Sequence, residues 1–531
     1  MLPRLTVSTQ AVTNYTAGLP ENDLSIQTTV SNSDLSDLAF NGVAKVNNTH
    51  FQSLDIFPKD NSSEDEYLDK FVYPGKDLNN NQFNDKLKQF FILSSSGKPI
   101  YSLNGGDELI IGFTGLITTI ISSFQHQLNE DIVVIDSGDV KISVLNRDPL
   151  ILVSISKINY EMSMNQITND YQQLKNQLHS LYNYLLCILS RPTITKSFQN
   201  RMNYDLRKML TDVDFKNLDD MAMKLTYGLS GDSDNDDSFE FFLSQLVNGF
   251  PTSKISYTIR SKLNSLLLHH RIDEILFGLL TSNLRRIITM IKPKVHNISN
   301  SDIDFLLRII KNNNKNIKDI ETEDLWIPIC LPEFNSNGFV YVYVKTFDLA
   351  KILVIDGKYY EDSQLINIVL ISTNKNNFFK VKEMANKIIE NIIQLELKDK
   401  LYQELSNYTI NLPPTINHFV YRDLKHKDLK QCLISNNPKD CNSIIKYVYY
   451  YSNLYNSKSS TIQSLTQESG NRKLSYIKYD VITFSIIDDN YEFYAIGSGE
   501  LSDLISDGLK VVKWIKSNDK RFFGNVVKFN F

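Results

Sequence analysis

The chain has 531 residues, of which 42% are hydrophobic and 22% charged, so it can bury more than one sizeable core and spans roughly two to four domains. Its 56 basic and 61 acidic residues leave a formal charge of −5, which predicts no nucleic-acid-binding surface. Cys187, Cys330, Cys432 and Cys441 have no CxxC spacing, so neither a disulfide framework nor a zinc site is expected and a reducing, cytosolic compartment is the default.

Residues 1–85 are rich in Asn, Asp, Ser and Thr, and are expected to form a disordered tail; "KDNSSEDEYLDK" (Lys59–Lys70) cannot bury enough apolar area to offset ordering. Leu35, Leu38, Ala39, Val43 and Val46 fall at helical spacing, a pattern shared by a short membrane-touching helix and by a chance cluster. No basic run followed by an apolar one precedes this tail, so no signal peptide is expected.

Order begins near Gln89. "QFFILSS" and "KPIYSLN" are strand-like runs joined by Ser-Gly. A phosphate-binding loop would need glycine at Ile92 and Ser or Thr at Pro99, so Gly97-Lys98 marks a hairpin turn instead. In Asp107–Gln127 the residues Leu109, Ile110, Phe113, Leu116, Ile117, Ile120, Ile121 and Phe124 trace one apolar helical stripe, with Asp107 as N-cap. The run Leu109–Phe124 is shorter than the ~20 residues a bilayer span needs, so no transmembrane helix is expected. Three strands follow, "DIVVID", "VKISVLN" and "LILVSIS", then a long helix over about 164–189 and a short one carrying "QNRMNYDLRKML".

The acidic run "SGDSDNDDS" (Ser230–Ser238) reads as a linker, in which Asp236-Asp237 would keep ordinary pKa values. Beyond it the order strand, strand, helix, three strands, helix returns, ending with a helix over about 376–405, and it returns more faintly after Pro413-Pro414. The repeat lies in element order rather than in letters. The expected fold is therefore α/β (α+β) with three domains, each a five-stranded antiparallel sheet (β-β-α-β-β-β-α) with helices on its faces. The expected divisions are 1–85 tail, 86–212 first domain, 213–238 acidic linker, 239–410 second domain and 411–531 third domain.

Catalytic chemistry has no visible carrier. GxSxG, HExxH, GxGxxG and EF-hand patterns are missing, and the eight histidines show no ligand spacing, so no cofactor, metal or catalytic residue is assigned. His269-His270 read as a solvated pair. What stands out is a surface. Opposite the apolar stripe of the first helix lie Gly112, Thr114, Gly115, Thr118, Thr119 and Ser122, and no charge occurs from Leu109 to Leu128. A solvated helix face carries Lys and Glu. A small, uncharged one suits close approach of another molecule or of another layer of the same chain. Trp326, at a strand start, is either a core anchor or a contact residue. Arg285, Arg286, Lys292 and Lys294 are either a solvated strand end or a contact for anionic lipid.

"FFILSSSGKPIYSLNGGDE", "NRMNYDLRKML", "LWIPICLPEFNSNGFVYVYV", "HFVYRDL" and "VVKWIKSNDKRFF" resemble, in order from Phe90 to Phe523, the vacuolar fusion protein Mon-one family of triple-longin proteins. The resemblance implies three longin-like domains and a partner, a Ccz-one-like triple-longin subunit. The pair would act as guanine nucleotide exchange factor for the late-endosomal and vacuolar Rab GTPase (the Rab-seven class), in endosome maturation, vacuole fusion, autophagy and protein transport. Such a subunit is cytoplasmic, and peripheral on late endosome, vacuole (multivesicular body) and autophagosome membranes. The resemblance also implies that the Gly112–Ser122 face and Asn203, Tyr204, Asp205 and Arg207 of the NYDLR segment belong to the partner and GTPase platform, and that Trp326 recognises an early-endosomal Rab. The other reading of the chain is a longin-fold trafficking adaptor or tether without exchange activity.

Overall fold

A computed structural model describes residues 6–10, 44–45, 64–128, 131–137, 140–162, 172–230, 235–314, 324–355, 362–394, 398–406, 410–456, 464–466, 471–524 and 526–530. The first sheet contains β1 (Lys88–Ser94), β2 (Pro99–Ser102), β3 (Asp131–Asp136), β4 (Lys141–Arg147) and β5 (Leu150–Ser156), arranged antiparallel in the order β3-β4-β5-β1-β2. Because side chains alternate across a strand, β1 can serve two faces. Phe91 and Leu93 pack with helix α1 (Asp107–Leu128), and Phe90 and Ile92 pack with helix α2 (Gln172–Leu189). All seven β1 residues are buried. The buried Lys88 ammonium donates to Glu161 at 2.6 Å and to Gln177 of α2 at 2.9 Å, a polar pin between sheet and helix.

Helix α3 (Asp212–Tyr227), helix α4 (Asn235–Val247) and helix α5 (Tyr257–His269) follow. The second sheet holds β6 (Ile275–Ser282), β7 (Arg286–Pro293), β8 (Leu325–Leu331), β9 (Ser336–Asp348) and β10 (Leu365–Ser372), in the order β8-β9-β10-β6-β7, with helices α6 (Asn300–Asn314) and α7 (Phe378–Gln394). The third holds β11 (Ile416–Asp423), β12 (Gln431–Ile434), β13 (Asn471–Lys478), β14 (Ile482–Asp488) and β15 (Tyr491–Gly497), in the order β13-β14-β15-β11-β12, with helices α8 (Cys441–Asn456) and α9 (Leu501–Ser517). The same strand order thus occurs three times. Each core sheet is antiparallel, as the element order implied. The β6–β7 turn carries Asn283 and Leu284 at φ 53 and 52, the left-handed geometry that matches strand twist in a tight hairpin.

Short strands extend these sheets. Thr6–Gln10 pairs with β3 and Ala44–Lys45 with β13. Phe250–Pro251 runs parallel to β12 of the third sheet, and Val527–Phe529 runs parallel to β7 of the second.

Several expectations need correction. Residues 64–85, assigned to a disordered tail, form helical turns at Glu64–Val72 and Asn80–Asp85 and bury Leu68, Val72 and Phe83. The helical pattern around Leu35–Val46 lies outside the described residues except for Ala44–Lys45. The 213–238 linker is largely α3 and the start of α4. Thr211 caps α3, its backbone N–H donating to the Asp214 carboxylate at 2.7 Å, and Gly228 ends it at φ 65. Acidic residues there serve a helix N-terminus rather than solvent. Asp237 is buried and pairs with Lys311 at 2.9 Å and Arg285 at 3.6 Å. Burial alone would raise its carboxyl, but Arg308, Lys311 and Arg285 outweigh that and hold it well below the usual carboxylate range. Helix α2 begins at Gln172, with 163–171 outside the described residues. The segment after it is a helix at Arg191–Asn200 and a separate 3-10 turn at Leu206–Met209.

Candidate docking surface on the first domain

Helix α1 docks on the first sheet through Ile110, Ile117 and Ile121, a stripe at helical spacing. The residue that completes this stripe is Thr114, only 1% exposed, while Leu116 is 61% exposed and Ile111 is 60% exposed. The expected faces are therefore rotated: Leu116 leaves the buried stripe and Thr114 enters it. Thr118 is half-buried beneath the β1–β2 turn, where a Cβ on Gly97 (φ +80) would meet its Oγ1 at 3.0 Å. The chain therefore covers Thr114 and part of Thr118 itself. Asp107 is not the cap but the first helical residue, its carboxylate held by Arg207.

The outward side of α1 keeps Ile111, Gly112, Gly115, Leu116 and Thr119 exposed, without a charge among them. Its threonine hydroxyls are satisfied inside the helix: Thr119 donates to the Gly115 carbonyl at 2.8 Å, and Thr118 donates to that of Thr114 at 2.7 Å. Such a face can be covered without stranding polar groups. A Cβ at Gly112 or Gly115 would meet nothing within 4 Å, so the chain's own packing does not require these glycines. Each costs about 1 kcal/mol of helix propensity relative to Ala. Beside them Gly115, Thr118, Thr119, Ser122, Ser96 and Gly97 line an open groove of about 510 Å³.

The NYDLR segment is fastened to this surface. Arg207 grips the Asp205 carboxylate with Nε at 3.0 Å and Nη2 at 3.1 Å, and reaches Asp107 of α1 with Nη1 at 3.2 Å. Lys98 of the hairpin turn pairs with Asp205 at 3.1 Å. Hydrogen bonds from Arg207, then from Lys98, hold the Asp205 carboxyl down at about 2. Tyr204 packs edge-on against Phe198 with centroids 6.3 Å apart, Asn203 is exposed, and neighbouring Met202 is 82% exposed. The structure thus brings the two sequence-predicted groups together, Gly112–Ser122 and Asn203–Arg207, through Asp107 and Lys98. Leu116 belongs to the stripe expected to face inward, and Ile111 and Met202 carry no expectation from the sequence, yet all three are exposed.

Trp326 lies elsewhere. It sits half-buried on β8, the edge strand of the second sheet, stacked on Tyr341 (5.8 Å, 18°) and edge-on to Phe378 (5.9 Å, 71°). The basic cluster proposed for lipid is mostly spent internally: Arg286 pairs with Glu240 at 3.0 Å, Arg285 with Asp237 and Glu240, and Lys292 with Asp428 at 2.9 Å. Lys294 is exposed. Among the described residues no group of three or more His, Cys, Asp or Glu could hold a metal. By length and composition alone, α1 is the one described helix long and apolar enough to cross a membrane, yet one face of it covers the first sheet.

Residues 88–221 match the family model of the first longin domain of FUZ, MON1 and HPS1, and residues 273–390 match that of the second. Over 98% of its length the chain is 36% identical to vacuolar fusion protein MON1 of Candida albicans, covering 88% of that protein. The chain belongs to the MON1 family. Two further MON1 relatives agree. The protein of Saccharomyces cerevisiae is 25% identical over 82% of this chain and 71% of its own, and that of Yarrowia lipolytica is 26% identical over 83% and 75%. The two longin matches coincide with the first and second sheets, and place the α1 surface within the first longin domain of a MON1-family chain.

Proposed function

We propose that this MON1-family chain works in vacuolar fusion and endosomal trafficking, as one subunit of a guanine nucleotide exchange factor for a late-endosomal Rab GTPase. Its partner would be a Ccz-one-like triple-longin subunit. The observation that carries this reading is the uncharged outer face of α1, with Ile111 and Leu116 exposed and the NYDLR segment locked beside it. An interface of standard size draws most of its energy from a few residues buried near its centre.

Exchange needs no acid, base or nucleophile. A ligand shifts an equilibrium only as far as it prefers one state, so the complex must hold the nucleotide-free GTPase more tightly than the loaded one. Keeping a switch segment away from magnesium and phosphate does this. Lowering nucleotide affinity by about 10⁴ takes roughly 5.5 kcal/mol of preferential contact. The proposed setting is peripheral, on late endosome, vacuole and autophagosome membranes, with Trp326 contributing to recognition of an upstream early-endosomal Rab. Release of a fluorescent guanine nucleotide from the Rab tests the reading. Acceleration by this chain together with its partner is expected; an unchanged rate, with binding retained, would identify an adaptor or tether instead.

A further inference from the structure

A cleft of about 430 Å³ opens between α2, α4, α6 and the end of α8. Its size falls in the range of about 300–1,000 Å³ usual for small-molecule sites. Helix α2 has two working faces here. Leu174, Leu178, Leu181 and Leu185 are buried, whereas Gln173, Asn176, Ser180 and Asn183, also three and four residues apart, line the cleft. Gln245, Asn248 and Asn300 line the facing side, and Phe242 and Phe305 contribute apolar floor. The wall is therefore dominated by carboxamides around an aromatic base.

Its charge is balanced. Lys175 and Glu333 oppose each other in sign. Burial, with Arg147 and Lys175 nearby, pulls the His179 imidazole down to about 4 and keeps it neutral, and burial pushes the Asp304 carboxyl up to about 7. A polyanion would meet Glu333, and a polycation would meet Lys175. A carboxamide carries two donor hydrogens and an acceptor oxygen, so even those bonded within the chain, as Gln245 to Asp304 and Asn300 to the Lys430 carbonyl, both at 2.6 Å, keep capacity for a hydroxyl. The C–H face of a ring suits the phenyl base.

We infer that this cleft binds a small neutral polyol of monosaccharide or cyclitol size. Because helices from around all three sheets line it, occupancy would also stabilise their mutual packing. The test is calorimetric titration of the full chain with glucose and myo-inositol, with glucose 6-phosphate as the charged counterpart. Saturable binding of a neutral polyol is expected, weakened at least about tenfold by Asn183→Leu. A thermal melt checks that Asn183→Leu folds; should it not, Asn176→Leu, on the exposed part of the stripe, carries the same expectation. Three results overturn the inference: no saturable heat with either neutral polyol, undiminished binding by the folded leucine variant, or preferential binding of the phosphate ester that is lost in Lys175→Ala.

Discussion

Replacing Leu116 by glutamate separates docking from folding. With 61% of Leu116 already exposed, folding buries only the remaining two-fifths of it. Complete burial of a leucine contributes about 2 kcal/mol, so the loss in the isolated chain stays below about 1 kcal/mol, and Leu and Glu differ little in helix propensity. In a docked state the same change removes an apolar anchor and forces a carboxylate against a dry surface. A loss of about 2 kcal/mol there weakens affinity about thirtyfold. Thr114→Glu is the internal control, because at 1% exposure a carboxylate at that site has no solvent, and should cost the fold about 3 kcal/mol or more. Thr118, pressed against Gly97, would confuse the two effects. Thermal melts followed by circular dichroism measure folding, and calorimetric titration with the partner subunit and with the Rab measures docking. Unchanged affinity of Leu116→Glu for both, or a Thr114→Glu chain as stable as the parent, would refute the assignment of faces.

Other predictions follow from buried charge. Asp304 accepts a hydrogen bond from Gln245 at 2.6 Å, and burial raises its carboxyl to about 7. Its folded form holds a proton that the unfolded form loses near pH 4, so its contribution to stability falls as pH rises from about 4 to about 7. Asp304→Asn should therefore raise the urea midpoint markedly more at pH 8 than at pH 5; an equal shift at both pH values would contradict this. Asp237→Asn leaves Lys311 and Arg285 short of their buried partner and should cost about 3 kcal/mol, measured by urea unfolding at pH 7. Burial pulls His418 down to about 4, and its ring lies 2.6 Å from the Tyr451 hydroxyl and 3.3 Å from Asn437 Oδ1. Nitrogen NMR at pH 5.5 should find it neutral, protonated on Nε2, and charged imidazolium there would count against the network.

The three sheets were legible because β1, β6 and β11 are runs of β-branched and aromatic residues bounded by turn residues, and because α1 and α2 repeat their apolar residues at helical spacing. What the sequence concealed was partnership at a distance. The Asp-rich stretch around Asp237 looks solvated until Arg285 and Lys311, from elsewhere in the chain, are brought beside it. Arg285, Arg286 and Lys292 likewise look free until Glu240 and Asp428 meet them. On α1 the assumption that every apolar residue turns inward placed Leu116 on the sheet and Thr114 outside it. The link from Arg207 to Asp107 spans a hundred residues of sequence, and no local pattern signals it.

The proposed exchange complex requires the outer face of α1 to be covered by a second protein. A photoreactive phenylalanine derivative introduced in place of Leu116, in a preparation containing the partner subunit and nucleotide-free Rab, tests it most directly. The expected cross-linked product joins this chain to one of those two proteins and is absent when the label replaces buried Ile117. Label at position 116 that reacts only within its own chain or with solvent, while the complex remains assembled, would contradict it.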